Sequence, residues 1–247
     1  MPTTTTTPAA YDDLTALFLN CSLKPASEPS HTTRLMEVAI HVMRQQGVAV
    51  EEVRAADHDI APGVQPDMSD LFPSDAWPAI FEKVMAAEIL VIGSPIWLGE
   101  ESSTCRRVME RLYAHSGQLN DKGQYLYYGK VGGCIVTGNE DGAKHVAAST
   151  LYGLQHLGYT VPPQADAAWL GEAGPGPSYG DNVDGQDQPA GYDNDFTQRN
   201  TIFTTWNLLH MARLLKDAGG LPAYGNSRRA WADGERFGHP RASELAS

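Results

Sequence analysis

Three short segments of this chain carry the residue types that could do chemistry, and each falls between an apolar run and a stretch with helical spacing. Residues 20–25 (NCSLKP), continuing to 30–33 (SHTT), offer the hydroxyls of Ser22, Ser30, Thr32 and Thr33, the cation Lys24 and the imidazole of His31. With the free N–H groups of a helix start they form a donor set for a phosphate. The same residues also read as an ordinary helix cap behind a surface loop. Residues 94–99 (SPIWLG) place Pro95, Ile96, Trp97 and Leu98 after a buried run. Backbone amides and one ring suit a flat aromatic ligand better than a hydrolysable one. Residues 137–142 (TGNEDG) add Thr137, Gly138, Asn139, Glu140 and Gly142, which taken alone read as a tight turn. None of the three holds a nucleophile with a base, so no catalytic side chain is assigned.

Other arrangements are excluded by spacing. GxxxxGK[ST] and GxGxxG are both missing, which removes a triphosphate loop and disfavours a dinucleotide fingerprint. Without a GxSxG elbow no Ser-His-Asp arrangement can be assembled. Asp57-His58-Asp59 reads as a solvated turn, because neighbours on an extended chain point to opposite faces. Asp181, Asp184, Asp187, Asp193 and Asp195 lack the EF-hand pattern and read as a solvated acidic loop. His41, His115, His145 and His156 lie on predicted helices without partner spacing, as surface or packing residues, and no metal site is expected. Cys21, Cys105 and Cys134 are odd in number and widely spaced, unlike a disulfide framework or a zinc site.

The elements that must position these segments alternate. Apolar runs at residues 14–20, 89–93, 131–137 and 165–170, with an alternating stretch at 48–53, predict five strands. Helices are expected from Thr32 or Thr33 to Gln46, from a cap at Asp75 to near Ala87, after Ser102, Ser103 and Thr104, and over residues 143–157. Residues 94–101 read as a loop, and 171–200, rich in Gly, Pro, Asp and Asn, as a long excursion. A final helix over 201–218 has Ile202, Trp206, Leu209 and Met211 as candidate core, and residues 219–247 read as an irregular arm. This alternation predicts one doubly wound α/β domain over residues 13–218, with the three chemistry-bearing segments at the same end of its sheet.

Bulk properties agree with a globular chain: 247 residues, 42% hydrophobic and 19% charged. The net charge of −12 argues against nucleic-acid binding and adhesion to anionic membranes. No apolar run approaches the ~20 residues of a membrane span. Residues 1–12 have neither a basic region nor an apolar core and are expected to form a flexible tail, and the reduced cysteines point to a cytoplasmic protein.

Three stretches, NCSLKPASEPSHTTRLME, GSPIWLGEESSTCRRVMERL and CIVTGNEDGAKHVAASTLYGLQHLGY, resemble the NADPH-dependent FMN reductase branch of the flavodoxin-like superfamily. The similarity runs from about Leu14 to Leu170. It implies a three-layer flavodoxin-like fold with a five-stranded parallel sheet of order 2-1-3-4-5, a long C-terminal extension and FMN at the switch point. By position, Ser22, Lys24, Ser30, His31, Thr32 and Thr33 would surround the FMN phosphate. Pro95, Ile96, Trp97 and Leu98 would lie along the isoalloxazine, and Thr137, Gly138, Asn139, Glu140 and Gly142 would form the third wall. The phosphate segment departs from the family pattern, with Asn20-Cys21-Ser22, Lys24 and Ser30-His31-Thr32 in place of Gly-Ser, an Arg and Ser-Asn-Thr. The resemblance implies an oxidoreductase that takes electrons from NADPH or NADH through FMN to a small-molecule acceptor, in a homodimer or homotetramer. The alternative is a flavodoxin-type electron carrier without turnover of its own, whose acidic surface would suit basic redox partners.

Overall fold

Continuous apolar runs become strands buried on both faces, alternating stretches become half-covered strands, and this chain lays both kinds side by side. In the computed structural model, which describes residues 10–174 and 176–245, these are β1 (Thr15–Asn20), β2 (Ala49–Arg54), β3 (Ile89–Trp97), β5 (Val131–Gly138) and β6 (Asp166–Leu170). A two-residue strand, β4 (Glu100–Glu101), pairs antiparallel with the end of β3. The order β2-β1-β3-β5-β6 is the expected 2-1-3-4-5 once β4 is set aside. The ladders are parallel, with Leu17 opposite Leu90, Ile92 opposite Cys134 and Thr137 opposite Trp169.

Two apolar clusters sandwich the sheet. On one face α1 (His31–Gln45) and α5 (Asp195–Asp217) bury Leu35, Met36, Met43, Leu208 and Leu209 against Phe18, Val91 and Ile135. On the other, α2 (Trp77–Ala86), α3 (Ser103–Tyr113) and α4 (Ala143–Leu157) bury Trp77, Val108, Leu112 and Val146 against Leu19, Ile92 and Val136. The crossovers change face between β1 and β3, which opens a crevice at the carboxyl ends of those strands. No helix among the described residues is long and apolar enough to cross a membrane.

Several boundaries differ from the sequence expectations, each for a local reason. Helix α1 starts at His31, because the Ser30 hydroxyl accepts the Thr33 N–H at 3.2 Å and so acts as the cap. The expected loop 94–101 is a hairpin: β3 runs on to Trp97 and turns through Leu98 and Gly99. Both turn residues are left-handed (φ 55° and 79°), as a two-residue hairpin requires. Helix α5 begins at Asp195 rather than 201, capped by Asn194, whose Oδ1 accepts the Thr197 N–H at 2.9 Å.

The buried face of α5 is also not the expected one. Leu209 lies in the core, but Ile202, Trp206 and Met211 are half-buried, and Thr197, Thr201, Thr204 and Thr205 face inward. Their hydroxyls donate to carbonyls, Thr201 to Thr197 and Thr205 to Thr201 within the helix, Thr204 to Gln164 and Asp166 across it. A satisfied hydroxyl is buried at little cost, so a threonine stripe can form a core face.

Residues 1–9 of the expected tail lie outside the described residues. Tyr11, counted in that tail, is buried, with its hydroxyl 2.8 Å from His210 Nδ1. The arm carries two short helices, α6 (Arg228–Ala232) and α7 (Ala242–Leu245). Buried Gln124 holds its start, donating to the carbonyls of Leu221 and Pro222 and to Asn226 Oδ1.

The expected cap, Asp75, falls one residue short, since the N-cap of α2 is Ala76 without a capping side chain, and Asp75 gathers several partners instead. Its Oδ1 accepts the N–H groups of Trp77 and Ala61, and its Oδ2 accepts Met68 N–H and Arg111 NH2, the last at 2.6 Å. Both side chains of this ion pair are fully buried, so removing one strands the other charge. Asp75→Ala should therefore lower the unfolding free energy by about 3–5 kcal/mol. Urea denaturation reads this as a lower midpoint at an unchanged slope; a shift below ~1 kcal/mol would contradict it.

Candidate functional site

The site begins where β1 ends. Buried Asn20 accepts the Ser22 N–H at 3.0 Å and donates to Thr33 Oγ1 at 2.6 Å and Glu52 Oε1 at 2.9 Å. Arg54, opposite Asn20 at the end of β2, donates to Thr33 Oγ1 at 2.6 Å and to the Pro25 carbonyl at 3.1 Å. Asp57 accepts the Ala26 N–H at 2.9 Å. These polar groups hold the 20–30 loop from behind. The loop thus presents Ser22 and Lys24 forward, and Lys24 has no ion-pair partner among the described residues. At the start of α1 the N–H groups of His31 and Thr32 have no partner among the described residues, which leaves two donors free for an acceptor.

The second and third walls brace each other. Thr32 Oγ1 and Thr137 Oγ1 are 2.8 Å apart, tying the start of α1 to the end of β5. The Glu140 carboxylate accepts the Leu98 N–H at 2.9 Å and holds that left-handed leucine at the hairpin tip. Gly142 lies so close to Gly99 that an added Cβ would come within 2.6 Å of the Gly99 carbonyl oxygen. Below the hairpin, the Ser102 hydroxyl caps α3 through the Cys105 N–H and donates to the Cys21 carbonyl at 2.7 Å.

A fourth wall comes from the excursion after β6. Asn139 donates to the carbonyls of Pro177 (2.9 Å) and Gly176 (3.2 Å) and accepts from the Ser178 hydroxyl (2.9 Å). His31 Nδ1 donates to the Tyr179 carbonyl at 3.0 Å, and Arg34 donates to the Gly180 carbonyl and approaches Asp181 at 3.5 Å. The Tyr179 ring meets Trp169 edge-on at 5.7 Å and Tyr192 at 5.2 Å. Burial, with Tyr192 beside it, pushes the Tyr179 phenol up to about 12.

Between these walls lies a cavity of about 570 Å³, within the range that holds a small ligand or cofactor. Of the residues expected around a ligand, Ser22, Lys24, Ser30, His31 and Thr32 line it, as do Pro95 to Leu98 and Thr137 to Glu140. Thr33 and Gly142 do not: the Thr33 hydroxyl faces Asn20 and Arg54, and Gly142 packs on Gly99. Sequence reasoning missed Trp169, Ser178 and Tyr179, which also line it. Trp169 carried a usable signal, standing near the carboxyl end of a strand as Trp97 does. Tyr179 lies in an aperiodic Gly/Pro stretch and carried none. Arg54 was missed as well, since only strand pairing brings it beside Asn20. Trp97 is half-exposed and Leu98 almost fully so, which places the hairpin at the mouth.

Comparison with known proteins agrees with this geometry. The family model described as NADPH-dependent FMN reductase matches residues 14–171. A Mycobacterium bovis protein named divalent metal cation transporter MntH is 56% identical over 210 residues, covering 85% of this chain; the chain spans only 30% of that protein. The 8-demethyl-8-aminoriboflavin-5′-phosphate synthase of Streptomyces davaonensis is 37% identical over 210 residues, 83% of this chain and 79% of that protein. The crystal structure of RosB with the bound intermediate 8-demethyl-8-formylriboflavin-5′-phosphate aligns at 33% identity and a TM-score of 0.76, over 95% of this chain and 92% of that one. The family match takes in the three loops that converge on the cavity, and the chain therefore belongs to the NADPH-dependent FMN reductase family, with a flavodoxin-like fold.

Proposed function

We propose that the cavity holds FMN and that the protein takes electrons from NADPH or NADH and delivers them to a small-molecule acceptor. The observation that carries this reading is the polarity of the cavity from end to end. The free N–H groups of His31 and Thr32, the Ser22 hydroxyl and unpaired Lys24 gather at one end, and Ile96, Trp97 and Leu98 line another wall. A phosphate fits the first set, because helix-start amides and a lysine stabilise a dianion without a buried counter-charge. A planar ring fits beside the second.

When bound, FMN would supply the redox chemistry, accepting a hydride equivalent and releasing electrons onward. The chain's own residues bind and orient. Asn20 and Arg54 keep the 20–30 loop in place, Glu140 fixes the hairpin, and the Thr32–Thr137 contact fixes the spacing between phosphate end and ring wall. The excursion held by Asn139 and His31 screens one side from water. No proton-transfer role is assigned in this scheme: of the titratable side chains that line the cavity, His31 is held by the Tyr179 carbonyl and Glu140 by the Leu98 N–H.

A second reading has specific support. The Streptomyces davaonensis synthase is named for a derivative of riboflavin-5′-phosphate, and the RosB structure holds another as a bound intermediate. On that reading the flavin phosphate is a substrate altered at its 8-position. The transporter name of the Mycobacterium bovis protein supports neither, since this chain matches 30% of its length.

Mixing FMN-loaded protein anaerobically with NADPH or NADH should bleach the flavin bands rapidly, and readmitting an acceptor should restore them. Flavin inert to both donors would leave the electron-carrier alternative, and a changed mass of the released flavin would favour the second reading. Lys24→Ala should raise the FMN dissociation constant by about tenfold, the scale of one charge-assisted hydrogen bond, and leave riboflavin binding unchanged. Fluorescence titration with both ligands separates this from general destabilisation, in which both would weaken equally. Trp97→Ala should weaken both ligands alike, by about 0.5–1.5 kcal/mol; unchanged binding would show that the ring wall is elsewhere.

A further inference from the structure

The wall beyond β6 stands apart from the rest of the cavity, because the family match ends at residue 171 and the wall is built by Ala173, Gly174, Ser178 and Tyr179. Within it, Tyr179 is nearly fully buried, yet it lines the cavity. Most of the residue is accounted for by neighbours. His31 takes the carbonyl, and Trp169 and Tyr192 flank the ring. An added Cβ on left-handed Gly191 would come within 2.6 Å of the ring edge, so the backbone there leaves the ring no slack on that side. The hydroxyl alone has no hydrogen-bond partner among the described residues. A phenol oxygen on a cavity wall that no protein group occupies is open to water or to a ligand.

We propose that the Tyr179 hydroxyl donates a hydrogen bond to the ring or ribityl part of the bound flavin, making Tyr179 a specificity residue that lies beyond the segment matched by the family model. The inference rests on the FMN reading above. The ring, not the backbone, sets the target: the carbonyl is what meets His31 of the phosphate end, while the ring packs on Trp169, which pairs with Thr137 at the end of β5. Burial also keeps the phenol protonated at neutral pH, so it stands ready as a donor. Asn139, Ser178, His31 and Arg34 anchor the segment on both sides of Tyr179, so the hydroxyl is presented from a fixed backbone.

Tyr179→Phe removes the oxygen and keeps the ring, so the Trp169 and Tyr192 contacts survive. The variant should bind FMN and riboflavin both about three- to tenfold more weakly, the worth of one neutral hydrogen bond. Its bound-flavin absorbance bands should shift relative to the parent, a readout that a purely structural role would leave in place, and its ligand-free melting temperature should be unchanged. Loss for FMN alone would put the hydroxyl on the phosphate and overturn the proposal. Unchanged binding of both ligands, or weakening that comes with a lowered ligand-free melting temperature and unshifted bands, would overturn it too. A parent protein that binds no flavin would defeat the FMN reading itself, a result distinct from a parent that binds and a variant that binds equally well.

Discussion

The first turn of α1 sets the terms for the whole site. A helix must start with N–H groups that have no carbonyl four residues back, and here the Ser30 hydroxyl takes one of them while those of His31 and Thr32 stay free. The doubly wound topology points that turn at the crevice between β1 and β3, where crossovers change face. Unpaired amides and a positive helix end in a sheltered crevice favour an anion. The other walls are arranged around that point. Thr32 reaches Thr137, the β5 loop reaches the hairpin through Glu140, and Asn139 draws in the excursion.

Most of the polar side chains in these loops are used for construction. Asn20, Arg54, Asp57, Asn139 and Glu140 bind backbone or one another. Among the described residues, what remains for a ligand is backbone amide, hydroxyl, Lys24, the rest of the His31 ring and aromatic surface. Such a site can hold and orient a group that carries its own reactivity. Family membership and site chemistry thus both support the proposed flavin ligand.

Much of the framework was legible because hydrophobic runs and helix caps are local. The runs ending at Asn20, near Gly93 and at Thr137 became β1, β3 and β5, and the segments that follow them meet at one cavity. Resemblance, not periodicity, supplied the strand order. The features missed were non-local or disguised. The hairpin depends on two residues of β4, too few for any period to show. The inward face of α5 is written in threonines, which hydropathy counts as polar although their hydroxyls are bonded to carbonyls. Arg54 acts through strand pairing far from its sequence neighbours, and Tyr179 through an excursion without pattern. Thr33 shows the converse: its place beside the helix cap suggested a ligand contact, but Asn20 and Arg54 claim its hydroxyl.

The central claim is that an anionic flavin tail sits on the free amides of α1 beside Lys24. Phosphorus NMR of FMN mixed with the protein addresses it directly. The account predicts one resonance displaced from that of free FMN and no longer titrating across the range in which the free phosphate changes its protonation, because helix amides and lysine hold the dianion. A resonance that keeps the shift and titration of free FMN, with the ring fluorescence nevertheless quenched, would contradict it and place the phosphate in solvent.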